Sequence, residues 1–145
     1  MRLKIDPLDQ LFSEYIRRRA IKDAGGCEWC GKPKFDIQKE NGSILPAWKQ
    51  LDCAHFIGRR KVSVRYDPDN AIGTCKLGCH NAMDNHPAEK IAFFKARLGE
   101  RGFDMLNHRA RIPYPKPDKQ AIELYLREQI KLLEGSYDNS RVSYA

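Results

Sequence analysis

The chain has 145 residues, of which 41% are hydrophobic and 31% charged, the balance of a folded globular protein and not of a disordered chain. Lysine and arginine total 26 against 19 acidic residues, a formal charge of +7 that favours a polyanionic partner. No run of about 18 apolar residues is present, which excludes a membrane-spanning helix.

The N-terminal stretch lacks the apolar core of a signal peptide, so a cytoplasmic protein is expected. Asp6 can cap a first helix, with Pro7 in its first turn and Asp9 where a helix start favours negative charge. Leu8, Leu11, Phe12, Tyr15, Ile16 and Ala20 follow helical spacing, and Gly25-Gly26 ends the run. Arg17, Arg18 and Arg19 fall late in this helix, as a solvated face or as contacts to a nucleic acid. Cys27-Glu28-Trp29-Cys30-Gly31 forms a tight knuckle. Residues 35–45 predict a hairpin around Asn41-Gly42. Leu51 to Ile57 reads as a strand, followed by a basic loop from Gly58 to Asn70 with a second strand at Lys61–Tyr66.

A second knuckle, Cys75-Lys76-Leu77-Gly78-Cys79, leads into a short helix that Pro87 should interrupt at His86. A helix carrying Ile91, Phe94 and Leu98 then ends at Gly99. A short helix spans Gly102–Arg109, and Pro113-Tyr114-Pro115-Lys116-Pro117 is a stiff linker. Asp118 caps a last helix with Ile122, Leu126, Ile130 and Leu133 on one side. The domain reading is an N-terminal helix (1–26), a knuckle-bearing core (27–99), a helical extension (100–135) and a flexible tail (136–145).

Five cysteines and four histidines carry most of the functional information. Cys27-x2-Cys30 and Cys75-x3-Cys79 are two close pairs separated by 44 residues. Each can grip one side of a tetrahedral Zn²⁺, giving a closed and therefore structural site. Cys53 is left over and reads as a packed thiol. Between the knuckles stand His55 on a strand, Asn70 in a loop, and His80 immediately after Cys79. A neutral histidine can accept a proton from water near neutral pH. An asparagine can hold a loop through its backbone. A divalent cation can neutralise a scissile phosphate. Asp84 shares a helix face with His80 at i, i+4. His86, just before Pro87, reads as a surface residue or as a contact to metal or DNA, and His108 as a surface residue or a phosphate contact.

Taken together, Leu51-Asp52-Cys53-Ala54-His55-Phe56, Arg65-Tyr66-Asp67-Pro68-Asp69-Asn70 and Cys75-Lys76-Leu77-Gly78-Cys79-His80 resemble the phage NinG (Rap) recombination proteins of the HNH, or ββα-metal, endonuclease superfamily. The resemblance runs from about Cys27 to Glu134, with an insertion near residues 36–48. It implies an α+β fold: a small zinc-bound ββα-metal core flanked by N-terminal and C-terminal helices. It also implies a Mg²⁺- or Mn²⁺-dependent DNA endonuclease acting on branched recombination intermediates and leaving 5′-phosphate and 3′-hydroxyl ends, in a bacterial or phage-infected cell. On this pattern His55 is the general base, Asn70 holds the loop, and His80 is a metal ligand. The chain departs from the family by having Ala54 before His55, His80 after the last cysteine, and one extra residue in the second knuckle. Asp52 is nominated beside His80 and Asp84 as a ligand of the catalytic ion. Arg59, Arg60, Lys61 and Arg65 are the expected phosphate contacts. A less structure-selective nicking or packaging nuclease, and a non-catalytic zinc-stabilised DNA-binding module, are the alternatives. A homodimer is left open.

Overall fold

The computed structural model describes residues 5–113, 116–135 and 142–144. Among the described residues it is an α+β arrangement of four helices and two small sheets. Helix α1 (Pro7–Ala24) starts where Asp6 Oδ1 accepts the Leu8 N–H at 2.8 Å. It stops at Gly25, whose φ of 72° suits a residue without a side chain. Its inner face is Leu8, Phe12, Tyr15, Ile16 and Ala20, all buried.

The expected hairpin is present as β1 (Asp36–Gln38) and β2 (Ile44–Leu45), paired antiparallel. Strand β3 (Leu51–His55) pairs antiparallel with β4 (Ala71–Cys75), with Leu51 opposite Cys75 and His55 opposite Ala71. The predicted strand at Lys61–Tyr66 does not form. That stretch holds one 3₁₀ turn, Val62–Val64, because its carbonyls bond to the buried Asn70 side chain and to the His55 ring rather than to a neighbouring strand.

Helix α2 (Gly78–Asn85) gives way at His86 to α3 (Pro87–Arg111). Gly99, at φ 75° and ψ 163°, divides α3 into two helical halves. Helix α4 (Lys119–Gly135) begins with Asp118 Oδ1 accepting the Ala121 N–H at 3.1 Å and buries Leu126 and Ile130. Within the expected stiff linker, residues 114–115 lie outside the described residues. Of the tail expected to be flexible, Val142–Tyr144 form β5, parallel to β1, and the rest lies outside the described residues.

The β3–β4 pair sits between two apolar layers. On one face Ala71 joins Phe12, Ile16, Leu126 and Ile130 of α1 and α4, with Cys53 packed alongside. On the other, Ala54 and Ile72 meet Met83 of α2 and Phe94 of α3. This alternation follows from the two-residue period of a strand. Each fully buried Phe12 or Phe94 contributes about 2–3 kcal/mol. Gly73 permits the close approach of α1, since a Cβ there would lie 2.6 Å from that of Ala20. Among the described residues no helix is long and apolar enough to cross a membrane.

Candidate metal centre and adjoining groove

The sulfurs of Cys27, Cys30, Cys75 and Cys79 all lie within 4.8 Å of one another. Four thiolates about 2.3 Å from a tetrahedral Zn²⁺ would be about 3.8 Å apart, and Cys30 and Cys75 are separated by 3.7 Å. The donor set and spacing fit one metal ion with no open position. The Cys30 and Cys75 N–H groups each donate to Cys27 Sγ at 3.3 Å, which adds partial positive charge around a thiolate. Burial opposes ionisation of Cys30, but the Lys32 N–H and the neighbouring thiols bring it down to about 7. Burial and the neighbouring Cys30 push Cys79 up to about 12.

Both knuckles are built locally and then fastened to the fold. Gly26 is required where the chain folds back, because a Cβ there would meet the Lys32 carbonyl at 2.1 Å. Glu28 donates its N–H to the Gly73 carbonyl at 2.9 Å, and its carboxylate accepts the Gly73 N–H at 2.7 Å. The same carboxylate pairs with Arg97 of α3, and Trp29 packs on Phe93 with ring centroids 5.2 Å apart. In the second knuckle the extra residue is absorbed at Leu77, at φ 63° and ψ −68°, where the Gly78 N–H reaches the Lys76 carbonyl at 2.7 Å. This is the rare, strained γ-turn.

His80 follows Cys79 directly, so the knuckle fixes where its ring begins. Its Nδ1 is 3.6 Å from Asp52 Oδ2 of β3, and its Nε2 is 3.9 Å from Asp84 Oδ2 one turn along α2. Either separation is shorter than two metal–ligand bonds of about 2.1 Å, so one cation could touch both members of either pair. The two carboxylates address different ring nitrogens, so the three side chains do not converge on one point. Asp84 is also drawn 3.0 Å from Lys90, which makes Asp52 with Nδ1 the less encumbered pair.

Asp52, His80, Asp84 and Lys90 line an open groove of about 710 Å³ together with His55, Arg17 and Arg59. His55 Nε2 is 3.1 Å from the Arg65 carbonyl. A carbonyl can only accept, so Nε2 carries the hydrogen and Nδ1 keeps its lone pair. The ring also packs on Phe12, with centroids 5.5 Å apart. Burial holds its pKa below the ordinary histidine value of 6.5, although the Arg65 carbonyl pulls the other way.

Asn70 is fully buried. Its Oδ1 accepts the Ile57 N–H at 2.8 Å, and its Nδ2 donates to the Ile57 and Val64 carbonyls at 2.9 and 3.0 Å. Its own carbonyl accepts from Phe56 N at 2.8 Å. One side chain thereby spans the loop that carries the carbonyl partner of His55.

The four expected phosphate contacts divide. Arg65 is committed to Asp9 of α1 through both Nε and Nη2, and it is therefore an internal clamp. Arg59, with its side chain 63% exposed, stands 3.6 Å from the same carboxylate. Arg60 and Lys61 are exposed and do not line the groove. The arginines of α1 divide as well. Arg19 bonds the Pro68 and Ala71 carbonyls at 2.9 and 2.8 Å, and Arg18 pairs with Glu14 and Glu134. Arg17 donates from Nε to the Ser13 carbonyl, lies over the Trp48 ring, and faces the groove. His86 Nδ1 is 2.8 Å from the Ala82 carbonyl and His108 is exposed; neither lines the groove. Cys53 is outside the sulfur cluster, and burial pushes its thiol up to about 12, as befits an inert packed cysteine.

Asp9, Glu28 and Lys90 were not singled out from the sequence as site residues. Their partners are 56, 45 and 6 positions away, and an acidic residue near a helix start or a lone lysine has an ordinary explanation without them. No protein-family model matches this chain, and no curated protein or solved structure matches it.

Proposed function

We propose that the protein is a divalent-metal-dependent DNA endonuclease of the HNH type, with the four-cysteine cluster holding a structural Zn²⁺. The observation that carries this reading is the combination, in one groove, of a backbone-anchored imidazole with a free Nδ1 and an Asp52–His80 pair spaced to share a cation. The succession of β3, β4 and α2 around these residues, with the sulfur cluster at the start of α2, supports the same reading.

In this mechanism His55 Nδ1 takes the proton of the attacking water. The Arg65 carbonyl fixes the ring's tautomer and steadies the imidazolium that results. Asn70 keeps that carbonyl in place by tying Val64 and Ile57 together. Asp52 and His80 would hold Mg²⁺ or Mn²⁺, which when bound supplies positive charge for the phosphate and the departing oxygen. Arg17 and Arg59 face the same groove and attract the DNA backbone. The substrate preference proposed is for branched recombination intermediates of the kind the NinG resemblance implies.

The test is cleavage of four-way junctions, D-loops and plain duplex DNA in Mg²⁺, Mn²⁺ or EDTA. Divalent-dependent cutting by the native chain, lost in folded and metal-loaded His55→Ala protein, is the expected result. Cleavage by that variant at the native rate overturns the mechanism. A chain that binds DNA but cuts none of these forms is a binding module instead.

A further inference from the structure

Another groove, of about 450 Å³, is lined by residues 60–63 of the basic loop and by residues 110–113 and 116–117. Its charged lining is Arg60 and Lys61 from the loop, Arg111 from the end of α3, and Lys116 from the segment that follows. No acidic residue lines it, and among the described residues none of these four cations is paired with a carboxylate. The nearby carboxylates are already engaged. Arg109 bonds Asp67 at 2.7 Å and Asp69 at 3.1 Å, while Ser63 Oγ donates to the Arg109 carbonyl at 2.9 Å. These bonds fasten the loop to the last turn of α3, so Arg60, Lys61 and Arg111 are held in a common frame, with Lys116 lining the same groove. The Arg109 guanidinium also offsets part of the negative charge of these two carboxylates, which would otherwise repel an anion. The carbonyl end of α3 carries partial negative charge, but its last turn bears His108, Arg109 and Arg111.

We infer that this groove is a second phosphate-binding track, in which the DNA backbone beyond the cleavage point is held by Arg60, Lys61, Arg111 and Lys116. The inference rests on the nuclease reading and extends it to the helical C-terminal region. Arg59 lines the catalytic groove and Arg60 the second one. Adjacent Cα atoms are about 3.8 Å apart, so one strand of backbone can pass from one groove to the other across this loop. Phosphodiester oxygens are the fitting ligand because the lining offers cationic donors from two chain segments and no compensating acid.

The experiment uses the full zinc-loaded chain without chelator and without added Mg²⁺ or Mn²⁺, where no cutting is expected, with fluorescent duplex DNA over a salt series. Arg111→Gln with Lys116→Gln should weaken binding tenfold or more at about 0.1 M salt. The salt slope should fall by about 1.8, two contacts at about 0.9 each. A control pair of equal charge change, Lys22→Gln with Lys131→Gln on α1 and α4, should alter both much less. In Mg²⁺ or Mn²⁺ the Arg111/Lys116 variant should keep its kcat at saturating DNA while its KM rises, whereas His55→Ala loses kcat and keeps its affinity. Equal losses in the two charge pairs, or no loss in either, overturns the second track and leaves the nuclease reading standing. Native protein that fails to bind DNA at all overturns both.

Discussion

The two chemical centres of this protein are neighbours along the chain and opposite in construction. The sulfur cluster is closed: four like donors from two short knuckles meet within 4.8 Å, with every coordination position of a tetrahedral ion accounted for. The groove beside it is open. Its groups come from α1, β3, α2, α3 and a loop, and two carboxylates divide a single imidazole between them. A closed site stabilises a fold and does nothing else. An open one must leave room for a substrate, and its donors cannot all be satisfied by one another. Cys79 and His80, adjacent in sequence, mark the boundary between the two kinds of site.

Removing one sulfur should produce the largest effect. Structural zinc contributes about 10 kcal/mol or more to folding, and an ion held by these four sulfurs would tie the knuckle after α1 to β4 and α2. Cys27→Ser or Cys79→Ser protein is expected to be metal-poor and unfolded by elemental analysis and circular dichroism, whereas Cys53→Ala retains metal and fold. A folded, zinc-free Cys79→Ser protein would break the contrast between closed and open sites.

At the open site, His55→Ala should lower the cleavage rate about 10²–10⁴-fold, as loss of a positioned general base does, with zinc content unchanged. The pH profile sharpens the assignment. Burial disfavours imidazolium, so the neutral, active form persists further into acid than in a free histidine. Activity should therefore rise with pH through a midpoint below 6.5 and be level near neutrality. A midpoint above 6.5 in the free enzyme would show that some other group is the base.

Asn70→Ala leaves the Ile57 N–H and two carbonyls without their partner in a buried place. Unsatisfied buried groups cost about 1–3 kcal/mol each, so a stability loss of about 3 kcal/mol in urea denaturation is expected, together with a slower rate as the Arg65 carbonyl loosens. The smallest effect belongs to the knuckle. Leu77 is 76% exposed and held at positive φ, and Leu77→Gly should raise stability by about 1 kcal/mol by relieving backbone strain, with cleavage unchanged.

Much of this was readable in the sequence because it is local. Asp6, Pro7 and Gly25 delimit α1, Pro87 separates α2 from α3, and the spacing of the cysteines already describes a metal cage. What the sequence left obscure depends on partners far along the chain. Ala71-Ile72-Gly73-Thr74-Cys75 has no alternation, since β4 is buried on both faces, and such a short run has no distinctive period. The stretch Lys61–Tyr66 has the composition of a strand, yet a single buried amide and the Ser63–Arg109 bond bend it into a turn. Arg65 looks like its basic neighbours until Asp9, 56 residues earlier, is seen against it. For the groove, sequence supplied His55, Asp52 and His80 but not Arg17's separation from Arg18 and Arg19, because three consecutive arginines point in three directions around a helix.

The chain contains two tryptophans, one inside the sulfur cage's first knuckle and the other against Arg17, which lines the groove. Trp29 lies inside the first knuckle against Phe93, while Trp48 lies beneath the guanidinium groups of Arg17 and Arg18, 4.8 and 4.6 Å from the ring. Indole emission depends on nearby charge and solvent, so the molecule carries one optical reporter for the cage and another for the position of Arg17. With Trp48→Phe protein, chelator-driven loss of metal can be followed through Trp29 alone. With Trp29→Phe protein, displacement of Arg17 by an arriving phosphate can be followed through Trp48. The order in which the two signals change under a chelator would time the collapse of the groove against the opening of the cage, without any label and without any substrate being cut.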